Sequence, residues 1–99
     1  MEILTRETFG GVDMTNCATI MAILQENRIE TAPKVQDVLT EYGCYIRVRL
    51  GLHDAGIDTC ANNGIILLQL CGENVPAKEM EDKLQSIPSV KVKHMVLDF

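Results

Sequence analysis

One short segment of the chain concentrates side chains that bind metal ions. His53 and Asp54 are followed closely by Asp58 and Cys60. Imidazole, carboxylate and thiolate groups are ligands of divalent transition metals, and a neighbouring subunit could complete such a site. An ordinary solvated loop has the same composition, so the segment is a candidate metal site with a simpler alternative. No other cofactor is predicted.

The cysteines are the next group that could do chemistry. They stand at positions 17, 44, 60 and 71 and form no C-x-x-C pair. Cys17, Cys44 and Cys71 fall at one end of the sheet predicted below, where three thiols could bind a soft metal or form a redox pair. Cysteine is also commonly a small buried apolar residue. In a cytosolic protein, free thiols are expected rather than disulfides.

A third candidate is the segment Glu26-Asn27-Arg28, which joins a predicted strand to a predicted helix. Backbone N–H groups at the start of a helix, together with an arginine, can hold a small anion. The segment is therefore a candidate effector-binding site, with a plain polar turn as the alternative. Ser-His-Asp, Cys-His and paired-carboxylate arrangements do not stand out, and neither does a glycine-rich phosphate loop. The chain is predicted not to be an enzyme.

Composition excludes several classes of partner. The 99 residues suit one domain, the net charge is −5, and only 4% of residues are aromatic, which disfavours nucleic-acid binding. The longest apolar run, Ile20–Leu24, is far too short for a membrane span. Because residues 1–16 lack a basic stretch followed by an apolar one, no signal peptide is predicted and the expected location is the cytoplasm.

Apolar periodicity divides the chain into strands and helices. Residues 1–16 are interpreted as an N-terminal tail or an extra strand, and residues 17–99 as the domain. The predicted elements are a strand at 18–25, a helix at 31–42 capped by Thr31 or Ala32, a strand at 45–52, a loop at 53–63, a strand at 64–71, a helix from its cap Asn74 to Ile87, and a strand at 90–99.

The order β-α-β-β-α-β predicts a specific topology. With right-handed crossovers, two split β-α-β units interleave into an α+β ferredoxin-like sandwich. Its antiparallel sheet has the strand order 4-1-3-2, with both helices on one face. The first and third strands, which are the most apolar, become central, while the arginine- and lysine-bearing second and fourth strands become edges.

The sheet face without helices predicts self-association. Both central strands are apolar at odd and even positions, so each exposes apolar side chains on that face, as soluble monomers rarely do. We expect a second copy to cover it in a dimer or tetramer; the alternative is a monomer whose residues 1–16 fold across the face. The residues predicted at this interface are Met21, Ile23, Arg47, Arg49, Ile65, Leu67 and Gln69.

Four stretches of sequence carry a resemblance to a known family. They are Leu39–Gly43, Arg49–Leu52, Ile65–Leu70 and Leu84–Lys93. Over residues 18–97, the chain resembles the iron-only hydrogenase system regulators. These are small ferredoxin-like proteins related in fold to ACT domains and to the C-terminal domain of the nickel-responsive repressor NikR.

The resemblance implies an ACT-like regulatory or sensing module that is dimeric or tetrameric. Relatives of the repressor type bind nickel through several histidines and one cysteine at a tetramer interface. His53 falls near the position of one such ligand, whereas the strand Gly64–Cys71 has no His-x-His pair.

We therefore expect a small cytosolic regulatory module that oligomerises through its sheet and binds a small effector or a partner protein. The alternative is a metal-binding sensor that uses the loop from His53 to Cys60 at a subunit interface. Neither hypothesis includes a nucleic acid or a membrane as partner.

Overall fold

The computed structural model describes residues 2–5, 14–53 and 63–97, and side chains over 16–52 and 63–97. Two α-helices and five strands form the fold. The strands are β1 (Glu2–Thr5), β2 (Thr19–Gln25), β3 (Ile46–His53), β4 (Gly64–Leu70) and β5 (Val90–Val96). The helices are α1 (Arg28–Glu41) and α2 (Ala77–Gln85), with short 3-10 helices at Met14–Cys17 and Gly43–Tyr45.

The topology is the predicted ferredoxin-like one. Strands β3, β4, β2 and β5 follow one another in a single antiparallel sheet, and both helices pack on one face of it. The expectation that the second predicted strand is an edge was wrong, because β1 pairs with β3 along Val48–Gly51. Neither helix of the described residues is long and apolar enough to cross a membrane.

Helix α1 begins three residues earlier than predicted. Asn27, and not Thr31 or Ala32, precedes the helix in a left-handed conformation with φ of 51°. Its carbonyl oxygen accepts the N–H groups of Glu30 and Thr31 at 2.9 Å each. The Thr31 hydroxyl donates to the carbonyls of Glu26 and Asn27, both at 3.1 Å. The earlier start places Arg28 in the first turn of the helix.

Helix α2 also departs from the prediction at its start. It begins at Ala77, and Pro76 is the residue that precedes it. Asn74, the predicted cap, lies in the turn before that, with φ of 55°.

The core lies between the helices and β2, β4 and β5. Met21 and Ile23 are fully buried there, opposite Leu68 and Ile66 of β4. Their predicted place on the face without helices was therefore wrong. The residues of β2 are apolar in both alternations, so periodicity alone could not choose the buried set.

The helix-free side of the sheet, called the open face below, carries the other alternation. Register and exposure place there Ile20, Ala22, Leu24, Val48, Leu50, Leu52, Ile65, Leu67, Gln69 and Met95, together with the exposed Lys91 and Lys93 of β5. Ile65, Leu67 and Gln69 are thus on the face where the sequence predicted them. Ile65 is 40% exposed and Met95 58% exposed.

The sequence predicted Arg47 and Arg49 of β3 at the interface on the open face, and this prediction was wrong. A register shift lies between Ile46 and Val48, and Arg49 pairs with the buried Leu68, so Arg49 points to the helix side. Arg47 lines a cavity against α1. No β3 residue belongs to the fully buried core, which leaves room for charged side chains on the helix side of this strand.

Two cysteines form a disulfide, contrary to the expectation of free thiols. Cys17 is bonded to Cys71, which ties the start of β2 to the exit of β4. Close by, the N–H of Gly72 donates to the Asn16 carbonyl at 2.8 Å. Cys44 is a free, exposed thiol.

Candidate anion-binding site

A cavity lies between the first turns of α1 and the helix side of the sheet. Its volume is about 490 Å³. We call it the first cavity. It is lined by Gln25, Arg28, Ile29, Ala32, Pro33, Val35, Gln36, Arg49 and Ile66. A recess of about 200 Å³ shares Arg28 and Arg49 and extends towards Gly51 and Gly64.

Arg28 reaches the cavity because the chain leaves space beneath it. Gly64, the first residue of β4, lies under the aliphatic part of the arginine. A Cβ atom at Gly64 would stand 3.3 Å from Cδ of Arg28, so a larger residue there would require the arginine to shift by a few tenths of an ångström. The early start of α1 and this glycine together let the arginine lie close to the start of β4.

Gln25 supplies a buried polar group without a partner. It is the last residue of β2, is only 5% exposed, and lines both the first cavity and the recess. Its Oε1 atom has no hydrogen-bond partner. A buried unsatisfied acceptor costs about 1–3 kcal/mol, so a ligand with a donor group gains by meeting this oxygen.

Arg49 crosses from β3 towards α1. Its Nη1 atom donates to Oε1 of Gln36 at 2.7 Å, and Nε2 of Gln36 in turn donates to the hydroxyl of Thr40 at 3.1 Å. The partner of the Arg49 guanidinium in this bond is therefore a neutral amide. A carboxylate or phosphate would add a second charge to this contact and can accept from both arms of the guanidinium, which the amide oxygen does not.

The lining of the first cavity and its recess includes no aspartate or glutamate. Two guanidinium groups thus share a space with amides and apolar side chains, in a chain whose net charge is −5. Planar guanidinium forks match carboxylates and phosphates. The arrangement can bind an anionic group, and it contains no nucleophile beside a general base.

Of the predicted effector residues, only Arg28 lines the cavity. Glu26 and Asn27 have backbone roles instead: the Glu26 N–H donates to the Ser89 carbonyl at 2.8 Å, and Asn27 starts α1. Sequence reasoning missed Gln25 and Gln36. No local signal marks either glutamine, because their role comes from the packing of α1 over the sheet.

The predicted metal loop lies almost entirely outside the described residues. His53 ends β3, while Asp54, Asp58 and Cys60 are not among the residues that the structure describes. Over 16–52 and 63–97, no three His, Cys, Asp or Glu side chains come close enough to hold a metal ion.

A second polar region, which we call the paired cluster, joins α2 to the end of α1 and to β5. The Tyr42 hydroxyl donates to Glu79, and His94 contacts Glu81. Lys83 bonds Glu41 at 2.6 Å. The bond to Glu79 raises the pKa of Tyr42 above its usual value, and the bond to Glu41, followed by that to Tyr42, raises the pKa of Lys83.

Comparison with known proteins supports the fold and leaves the activity open. The chain is similar to the uncharacterized protein TM1266 from Thermotoga maritima, with a TM-score of 0.70 and 28% identity, over 81% of this chain and 95% of that one. A dimeric ferredoxin-like protein of unknown function from Thermobifida fusca matches with a TM-score of 0.41 and 10% identity, over 80% of this chain and 91% of that one. No protein-family model matches the chain. No curated protein matches it either.

Proposed function

We propose that this chain is a small, non-catalytic regulatory module that binds an anionic group, from a small effector or a partner protein, in the first cavity. The observation that carries the proposal is the convergence of Arg28, Arg49 and the unpartnered Oε1 of buried Gln25 on one cavity without acidic lining. Arginines supply charge-assisted hydrogen bonds, and the glutamine accepts a donor from the same ligand.

We also propose that the module self-associates through its open face. Partly exposed apolar side chains, Ile65 and Leu67 among them, lie on this face, and within the described residues both helices lie on the opposite side. Burying one such side chain contributes roughly 1.5–3 kcal/mol relative to leaving it exposed. A second copy offers the same apolar surface and is the occupant we expect.

The finer family assignment is also a proposal. The four stretches that resemble the iron-only hydrogenase system regulators support a regulatory role, and Ile65–Leu70 among them forms most of β4. The proposed location is the cytoplasm; the Cys17–Cys71 disulfide counts against it, because disulfides are uncommon in that compartment. The metal-sensor alternative gains no support from the described residues.

Anion binding is tested by titration calorimetry with two probes, inorganic phosphate and adipate. We expect saturable binding that Arg28→Gln and Arg49→Gln each weaken by about tenfold or more, since one hydrogen bond to a charged group is typically worth about 1.5–3 kcal/mol. The matched control is Lys34→Gln, which removes the same charge from an exposed position of α1 outside the cavity.

Two results would contradict the anion site. Wild-type protein that binds neither probe excludes it. An equal loss of affinity in Lys34→Gln and Arg28→Gln would show that only the overall charge attracts anions.

Self-association is tested by light scattering over a range of protein concentrations. We expect a mass at or above that of a dimer, and a shift towards 11.0 kDa in Leu67→Lys. Asp37→Asn is the control, because it changes the net charge by the same amount at an exposed position of α1. A wild-type protein that stays monomeric at every concentration would contradict the proposal.

A further inference from the structure

A second cavity lies farther along the same side of α1. It has a volume of about 340 Å³ and is lined by Gln36, Leu39, Thr40, Gly43, Ile46, Arg47 and Arg49. Gln36 and Arg49 belong to the lining of both cavities. The two spaces are therefore neighbours, and the bond between Arg49 and Gln36 lies where they meet. We call the two cavities together the arginine groove.

Charge is segregated into this groove. Every arginine among residues 14–53 and 63–97 lines it, namely Arg28, Arg47 and Arg49, and neither cavity has an acidic residue in its lining. The described lysines are not in the lining either. Arginine is the residue suited to bidentate recognition of carboxylates. A groove with this lining inside an acidic chain is suited to a ligand that carries several acidic groups.

The length of the groove exceeds that of a small diacid. Along α1, the lining of the groove runs from Arg28 to Thr40, which at about 1.5 Å per residue is roughly 18 Å. An extended peptide of about six residues has the same length. Such a peptide also carries backbone N–H groups, which can donate to the unpartnered Oε1 of Gln25.

Gln36 is a hydrogen-bond partner of the Arg49 guanidinium. Its Oε1 accepts from Nη1 of Arg49 at 2.7 Å, and the bond is solvent-exposed. A ligand carboxylate makes a stronger bond to the same guanidinium. Displacement of the Gln36 amide by the ligand would join the two cavities into one continuous groove.

We propose that the arginine groove binds an extended acidic peptide segment of a partner protein, with Gln36 as a latch that the peptide displaces from Arg49. This inference rests on the proposed function and names its ligand. Arg28 holds one carboxylate at the start of α1, Arg49 holds a second after the latch opens, and Arg47 holds a third near Gly43.

Fluorescence anisotropy with labelled hexaglutamate tests this proposal, with adipate, inorganic phosphate and hexathymidylate as unlabelled competitors. We expect hexaglutamate to bind at least about tenfold more tightly than adipate, since it adds ion pairs and backbone donors. Arg47→Gln should weaken hexaglutamate about fivefold or more and leave phosphate affinity unchanged. Lys34→Gln is again the control for charge.

The latch is tested at Gln36, which is exposed, so its substitution spares the core. Gln36→Glu places a carboxylate beside Arg49 and should weaken hexaglutamate by about tenfold or more. Gln36→Leu has no acceptor and should bind at least as tightly as wild type. Thermal unfolding of each variant verifies that the fold is intact.

The outcomes separate this inference from the proposed function. If phosphate binds in the Arg28-dependent way described above, but Arg47→Gln leaves hexaglutamate binding unchanged, the peptide groove is wrong and the anion site stands. Equal affinity for adipate and hexaglutamate, tighter binding of hexathymidylate, or unchanged binding in Gln36→Glu would also overturn it. If wild-type protein binds no anion at all, both proposals fail.

Discussion

The two polar regions beside α1 differ in how their charges are satisfied. In the paired cluster, each carboxylate meets a donor: Glu79 meets Tyr42, Glu41 meets Lys83, and Glu81 meets His94. In the arginine groove, by contrast, Arg49 bonds the neutral amide of Gln36. The first arrangement holds elements of this chain together. The second keeps cationic groups beside a cavity that an external anion can enter.

This difference assigns different roles to charges on the same helix. Glu41 in the last turn of α1 is bonded to Lys83 of α2. Arg28 in its first turn has no such acidic neighbour in the cavity lining. Substitutions in the two regions should therefore separate: those in the paired cluster change the free energy of unfolding, and those in the groove change affinity.

The largest effect on affinity is expected when the charge of both arginines of the first cavity is reversed. The double variant Arg28→Glu/Arg49→Glu should lose phosphate binding by about a hundredfold or more, because two attractive charges become repulsive. The free energy of unfolding, measured by urea denaturation, should change by less than about 1 kcal/mol. A double variant that unfolds at much lower urea would show that these arginines are structural, as in the paired cluster.

A smaller effect is expected from filling the recess. A Cβ atom at Gly51, which lines the recess, would meet no atom within 4 Å, so the backbone accepts a side chain there and Gly51→Val should occupy part of the recess. Phosphate affinity should fall about tenfold, while stability holds or rises because valine favours strands. In calorimetric titration, the phosphate affinity of Gly51→Ala should lie between that of the wild type and that of Gly51→Val. Unchanged affinity in Gly51→Val would place the anion elsewhere.

The paired cluster should respond in the opposite way. Glu81→Gln weakens the contact with His94, whose side chain is 23% exposed, and should lower the free energy of unfolding by about 1 kcal/mol. Phosphate affinity should remain that of the wild type. If Glu81→Gln changed affinity and spared stability, the distinction between the two regions would be wrong.

The smallest effect is a dependence on pH. The pKa of Tyr42 is raised in the folded chain by its bond to Glu79, so the protonated hydroxyl stabilises the fold. This contribution is fully present below pH 10 and is lost as the pH rises through the raised pKa. Tyr42→Phe should therefore melt at a lower temperature than wild type at pH 8, and the difference should shrink above pH 10.

The sequence predicted the topology because strong periodic signals lay in the right order. The strands around Ile23 and Leu68 and the helix stripe through Val35 and Leu39 were enough to define a ferredoxin-like sandwich. The faces of β2 could not be assigned, since both alternations are apolar. Only the register with β4 decides that Met21 is buried.

The candidate site was predictable only in part. Arg28 was found because it stands next to a predicted helix start, even though the helix begins earlier than its cap signal at Thr31 indicated. Gln25 and Gln36 carry no chemical signal of their own. Their role depends on long-range packing, and so does that of Arg49, which its pairing with Leu68 of β4 places on the helix side of the sheet.

Nuclear magnetic resonance of labelled protein titrated with inorganic phosphate tests the central claim most directly. The side-chain amide of Gln25 and the Nε–H signals of Arg28 and Arg49 should shift together and saturate, while the His94 ring signals stay in place. If phosphate leaves the signals of these three side chains unchanged, or shifts the signals of Lys91 and Lys93 instead, an anion site between α1 and the sheet is contradicted.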